Sequence, residues 1–217
     1  MKFSALVPSV LAATGAAVAM SSFNPADAAF VTFSANPFGD QAAGKVDFRL
    51  EEVGSDVKFT VDVDSSVNNG GDLRGIWFDI ANDSLLPLTI TGSDITQTEQ
   101  DANNVNNLGG GNNLNGGGTL APFDVGLEIG TPGMGSDFIT STMFTVSGVT
   151  LDQFLGQEFG ARLTSLGDNQ NGSTKLAAVA PTEAVPEPLT ILGSATALGI
   201  GGLLKRQQSK KNNKNKA

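Results

Sequence analysis

Apolar and polar residues alternate with a period of two through the middle of this chain. Residues 55–64, SDVKFTVDVD, put Val57, Phe59, Val61 and Val63 on one side and Lys58, Thr60, Asp62 and Asp64 on the other. That period predicts a strand with one face in a core. Residues 45–50 repeat it, with Val46, Phe48 and Leu50 inward, and the intervening residues 51–54 predict a hairpin. Residues 123–129 alternate again. Residues 138–146 align Phe138, Thr140, Thr142, Phe144 and Val146, and residues 158–166 align Phe159, Ala161 and Leu163. Further strands are expected near 30–33, 75–81, 88–91 and 175–179. Residues 151–155 alone suggest a helical turn.

About eight or nine short strands separated by Gly/Asn/Asp turns predict an all-β domain. An antiparallel β-sandwich of jelly-roll type is the natural architecture, with a barrel as second choice. No ten-residue amphipathic pattern supports alternating βα units.

A different pattern ends the chain. Residues 189–204, LTILGSATALGIGGLL, carry no charge and follow Pro186 and Pro188, which mark a helix start. Roughly 17 residues at ~1.5 Å each give about 25 Å, a short transmembrane helix. Six of the last thirteen residues are basic and none acidic, so residues 205–217 are expected to stay cytoplasmic, with the preceding domain outside. The opposite end reads as a secretory signal peptide. Lys2 precedes an Ala/Val/Leu-rich stretch, and Ala26 and Ala28 supply small residues before a cut ahead of Ala29. An uncleaved anchor, or an earlier cut after residue 19, is the alternative.

Pro186-Glu187-Pro188, the apolar run and the basic Lys205-Arg206 resemble, in that order, the PEP-CTERM sorting signal of exported bacterial proteins. The resemblance spans residues 185–206 and implies processing by an exosortase, with Pro186, Glu187, Pro188 and Arg206 as a recognition motif acted upon. It implies passage through Sec-type export machinery, signal peptidase and the inner membrane. It also implies a destination at the cell surface or in the extracellular polysaccharide of a biofilm. The expected organisation is a signal peptide (1–28), an ectodomain (29–177), a linker bearing the motif (178–188), a transmembrane helix (189–204) and a tail (205–217).

Charge sharpens this picture. The formal net charge is −9, yet residues 30–188 hold six basic and 21 acidic residues, a balance of −15. Such a field repels nucleic acid. Cys, His and Tyr are absent. No disulfide, Ser-His-Asp triad, Cys-His dyad or ordinary zinc site can form. No catalytic residue is singled out and no enzyme is expected, although a carboxylate pair acting on a glycosidic bond stays open.

Three features are candidate sites. Asp62, Asp64, Asn68, Asn69 and Asp72 form the densest cluster of oxygen ligands. No cofactor is required by the sequence; of these, Asp62, Asp64, Asn69 and Asp72 are candidates for Ca²⁺, which oxygen ligands alone can bind, but the spacing does not match an EF-hand. Trp77, the only Trp, faces away from Ile76 and Phe78, and is either a sugar platform or packed under a loop. Residues 103–118, NNVNNLGGGNNLNGGG, read as a long flexible loop, with a binding loop as the alternative. The function expected is structural or adhesive. A carbohydrate-binding module and, behind it, a glycan hydrolase are the competing classes.

Overall fold

The computed structural model describes residues 29–38, 42–115, 122–131 and 137–186. Eleven strands follow one another: β1 (Ala29–Pro37), β2 (Val46–Val53), β3 (Asp56–Val63), β4 (Asp72–Phe78), β5 (Thr89–Gly92), β6 (Ile95–Val105), β7 (Phe123–Ile129), β8 (Ser141–Ser147), β9 (Glu158–Leu166), β10 (Gly172–Val179) and β11 (Val185–Pro186). Two short 3-10 turns, Asp83–Leu85 and Leu151–Gln153, complete the described elements.

All pairings are antiparallel, in the order β5-β8-β3-β2-β1-β10-β9-β4-β7-β6, with β11 beside β1. Strand β1 is the corner. Residues Phe30 to Ala35 pair with β2, whereas Asn36 and Pro37 pair with Ala177 and Leu176 of β10. A strand that passes from one partner to another lets a single sheet fold over on itself. The two halves therefore face each other as in a sandwich. The free edges, β5 and β6, are joined through Ser93 and Asp94. There Thr142 Oγ1 donates to Asp94 Oδ2 at 2.7 Å, and the Gly130 amide donates to Asp94 O at 2.8 Å. The result is a nearly closed sheet, between the sandwich and the barrel that the sequence suggested.

Phenylalanines fill the space between the halves. The Phe59 ring stacks on Phe144 at 4.5 Å, meets Phe154 edge-on at 5.1 Å, and lies 5.5 Å from Phe78 on the opposite half. Phe48 meets Phe159 at 5.5 Å in the same way. Offset and edge-to-face contacts of this kind add to the area term of burial. The alternation of 57, 59, 61 and 63 delivers the predicted face: Val57, Phe59 and Val61 are fully buried and Val63 nearly so.

The structure departs from the alternation in two places. Strand β8 starts at Ser141, later than the pattern suggested, and Phe138 is 49% exposed. Strand β6 has no counterpart in the pattern. Its sequence, ITQTEQDANNV, holds few apolar residues because it is the last strand of the sheet and is attached through its backbone to β7. Among the described residues no helix is long and apolar enough to cross a membrane. The expected span at 189–204 lies outside the described residues.

A candidate binding face beneath the Asn/Gly loop

The register of β7, β4, β9 and β10 builds three rows on the face turned away from the aromatic core. In the first row Glu128 pairs with Gly75, Gly75 with Arg162, and Arg162 with Lys175. In the second, Gly126 pairs with Trp77, Trp77 with Gly160, and Gly160 with Ala177. Two residues further along lies the third row, Asp124, Asp79 and Glu158. The Asp124 amide there donates to Asp79 Oδ1 at 3.1 Å, and the Asp79 amide to Glu158 O at 3.0 Å. One face thus carries a cationic end, an apolar middle and an acidic end.

The glycines of the middle are a bed. A Cβ on Gly75 would sit 2.5 Å from Trp77 Cη2, one on Gly126 3.0 Å from Trp77 Nε1, and one on Gly160 2.2 Å from Leu114 Cδ1. Only hydrogens leave room for the indole and the loop above it. Trp77 is fully buried in a second small core with Val105, Leu108, Leu114 and Phe123. It is therefore not an exposed sugar platform. The packing alternative holds, because the leucines spaced through the Asn/Gly segment need an apolar surface and the indole supplies it.

That segment is also not a free loop as far as residue 115. Asn107 bridges Asn113. Leu108 N donates to Asn112 O at 2.9 Å, and Leu114 N to Asn106 O at 3.0 Å. Gly109, Gly110 and Gly111 all take positive φ at its tip, which is the physical need for three consecutive glycines. Asn112, itself buried, donates from Nδ2 to Arg74 O at 2.6 Å and ties the tip to β4.

Arg74 sits at a bulge in β4, buried among carboxylates. Asp72 lies at 3.8 Å, Glu128 at 3.8 Å and Asp137 at 3.6 Å. Burial raises the Asp72 carboxyl above its ordinary value, against the lowering effects of the Ile139 amide and then Arg74. Asp79 is pushed up to about 7, first by burial and then by the charge of Asp124. Asp124 accepts from Ile80 N at 2.9 Å and from Asn103 N at 2.7 Å, one donor on each oxygen.

The candidate calcium ligands are not brought together. Asp62 accepts from Ser141 Oγ at 2.6 Å. Asp64 accepts from Ser66 Oγ at 2.6 Å and from Lys45 Nζ at 3.1 Å, and these contacts, Ser66 foremost, hold it down to about 2. Asn69 Nδ2 donates to Asp168. Asp72 is buried beside Arg74. Each group serves a different neighbour, and among the described residues no three acidic side chains form a metal-holding group. Calcium at this cluster is therefore not supported: the candidate oxygens are each held by a separate partner, most of them distant in the chain.

Of the processing residues, Pro186 lies in β11, and its partner across β1 is Ala29, the expected first residue after signal cleavage. Ala26, Ala28, Glu187, Pro188 and Arg206 lie outside the described residues. Comparison with family models, curated proteins and solved structures finds no match for this chain.

Arg162 and Lys175 were not among the residues the sequence singled out. Alternation within β9 and β10 places each outward. Only the register, which the sequence does not give, makes them neighbours.

Proposed function

We propose that this is an exported protein, sorted by an exosortase-type enzyme to the cell surface or extracellular matrix, with a structural or adhesive role. One observation carries most weight beside the sequence signals: Ala29 pairs with Pro186 and Phe30 with Val185. The two expected processing points therefore stand side by side at one corner of the domain. Adjacent ends suit a chain whose signal peptide and 189–204 helix both lie in one bilayer until signal peptidase cuts, after which the helix alone holds the domain. The nested pairing of β1 with β10, β3 with β8 and β4 with β7 supports a jelly-roll-like description, modified by the consecutive β1-β2-β3 meander.

The burial of Trp77 favours a structural role over a sugar-stacking module. Asp79 and Asp124 are the neighbouring acids that a carboxylate-pair hydrolase would use. With both Asp124 oxygens already accepting amide donors, the pair is better suited to bracing the strands.

The test is the intact mass and terminal peptides of the protein recovered from its host, in membrane and medium fractions. A species running from near Ala29 to near Pro188 is expected. A species that still carries residues 189–217 in every fraction would overturn the sorting reading and leave a plain membrane anchor.

A further inference from the structure

We infer that Arg162 and Lys175 form a binding site for an acidic polysaccharide, gripping its carboxylate or sulfate oxygens at the cationic end of the loop-covered face. The inference rests on the matrix reading only for the source of the polymer; the site itself is argued from the structure.

Cations are scarce in this domain, and carboxylates outnumber them. Lys45 lies 3.1 Å from both Asp47 and Asp64, Arg49 3.4 Å from Glu51, and Arg74 is surrounded by three acids. Arg162 and Lys175 differ. They are directly opposite in the β9/β10 ladder, and among the described residues neither has a carboxylate within ion-pair distance; Lys58 also lacks one, but its ladder partners are Glu51 and Thr145, so only Arg162 and Lys175 set two such cations side by side. Glu128, two strands away in the same row, is turned to Arg74.

Two like charges side by side cost free energy unless something negative or strongly polar meets them. Arg162 Nη2 has only Ser173 Oγ at 3.4 Å, and its Nε is buried with no acceptor. Lys175 Nζ donates to Asn113 Oδ1 at 3.0 Å and to the Asn115 carbonyl, which leaves one of its three donors free. Burial lowers both cations' affinity for their protons, and Arg162 adds to the effect at Lys175. An oxyanion would supply what is missing on the solvent side: a charged acceptor for the outer Nη2 edge of Arg162, which has only the long contact to Ser173, and a counter-charge for the pair.

The rim points to a sugar polymer. Ser173, Asn113 and Asn115 are exposed or partly exposed beside the cations and offer hydroxyl and amide partners for ring hydroxyls. The domain's overall negative field opposes polyanions at long range. Binding is therefore expected to be local, modest at low salt, and dependent on this pair.

The full chain purified in detergent, with the tail cations Lys205, Arg206, Lys210, Lys211, Lys214 and Lys216 each replaced by Gln so that the tail cannot bind polyanions, would be tested by biolayer interferometry against immobilised polygalacturonate, dextran sulfate, neutral dextran and poly-glutamate. Binding to one or both anionic glycans is expected, with none to dextran. Polygalacturonate and dextran sulfate together distinguish a carboxylated from a sulfated source. R162Q/K175Q should weaken that binding about tenfold or more, since loss of charge-assisted contacts exceeding ~1.4 kcal/mol gives that factor. K58Q, which removes a cation on the opposite half of the sheet, should leave it unchanged. Near-UV circular dichroism of Trp77 reports whether the loop still packs. If the double variant loses that signal, R162Q alone, which leaves Lys175 on the loop, takes its place.

Unchanged binding by the charge variant would overturn the site. So would absence of glycan binding, and so would poly-glutamate binding as tightly as polygalacturonate, which would indicate a general carboxylate or acidic-peptide contact. A processed species in the host with no glycan binding sinks this site and leaves the sorting reading standing.

Discussion

Replacing Asp79 by Asn should make the protein more stable in mild alkali and flatten its pH dependence. Asp79 stands in a row with Asp124 and Glu158, partly buried, and its carboxyl is raised from 3.8 to about 7 by burial and then by Asp124. The sign follows from proton counting. Between pH 3.8 and 7 the unfolded chain has lost this proton while the folded protein keeps it. Stability therefore falls as pH rises through that window, and the penalty is complete above about 7. Roughly three pH units at 1.36 kcal/mol each set an upper bound near 4 kcal/mol. Solvent at the partly exposed oxygen and local relaxation bring the expected value to about 1–3 kcal/mol. Asn keeps an oxygen to accept the Asp124 amide, now at 3.1 Å, and cannot ionise. Urea unfolding at pH 5 and pH 8 measures the effect. Wild type should lose stability between the two pH values relative to D79N, whose midpoint at pH 8 should be the higher. Equal pH slopes for the two proteins would refute the argument. The raised proton affinity would then have no energetic reality, or the cost would reside in Asp72.

Trp77→Ala should destabilise by about 3–5 kcal/mol, because a fully buried indole is removed from a bed of glycines that cannot refill the space. The same variant should raise hydrogen exchange at the amides of Leu108, Asn112 and Leu114, which marks release of the loop rather than global opening. Phe59→Ala should cost about as much, ~3–5 kcal/mol, but without selective exchange in the loop, since Phe59 contacts Phe78, Phe144 and Phe154 in the main core. Similar loop exchange in both variants would mean that the two cores are one cooperative unit.

The strands with a buried face could be read from the chain because their side chains record it. Val57, Phe59 and Val61 alternate with Lys58, Thr60 and Asp62, and the core lies on the apolar side. Strand β6 could not, since an edge strand held by its backbone leaves little record in its side chains. The ordering of the Asn/Gly segment was hidden for a related reason. Two leucines among asparagines and glycines look like noise until Trp77 is seen beneath them. Trp77 itself faces away from Ile76 and Phe78 as alternation implied, but what covers it depends on contact between β4 and residues thirty positions later. The candidate site was hidden most completely. Arg162 and Lys175 are unremarkable in one dimension and become a pair only through the β9/β10 register, which depends on the single bulge that leaves Ser165 unpaired opposite the Gly172–Ser173 step. The calcium cluster failed in the opposite way: close in sequence, Asp62, Asp64 and Asp72 are directed to Ser141, Lys45 and Arg74 by the sheet.

The pairing of Ala29 with Pro186 has a mechanical side. A pull applied between the two ends of the domain meets β11 first, and a strand of two residues lying along β1 opens like a zipper, with its bonds loaded in turn. Pro186 has no amide hydrogen to contribute to that resistance. The exit segment would yield at low tension and release the residues after Pro181, roughly 17 Å at about 3.4 Å per residue, because Ala180 and Pro181 are still held to Gln157 and Gly156 by backbone hydrogen bonds. A load applied through the residues beyond Pro186 would therefore draw out this short segment before the sheet bears any strain.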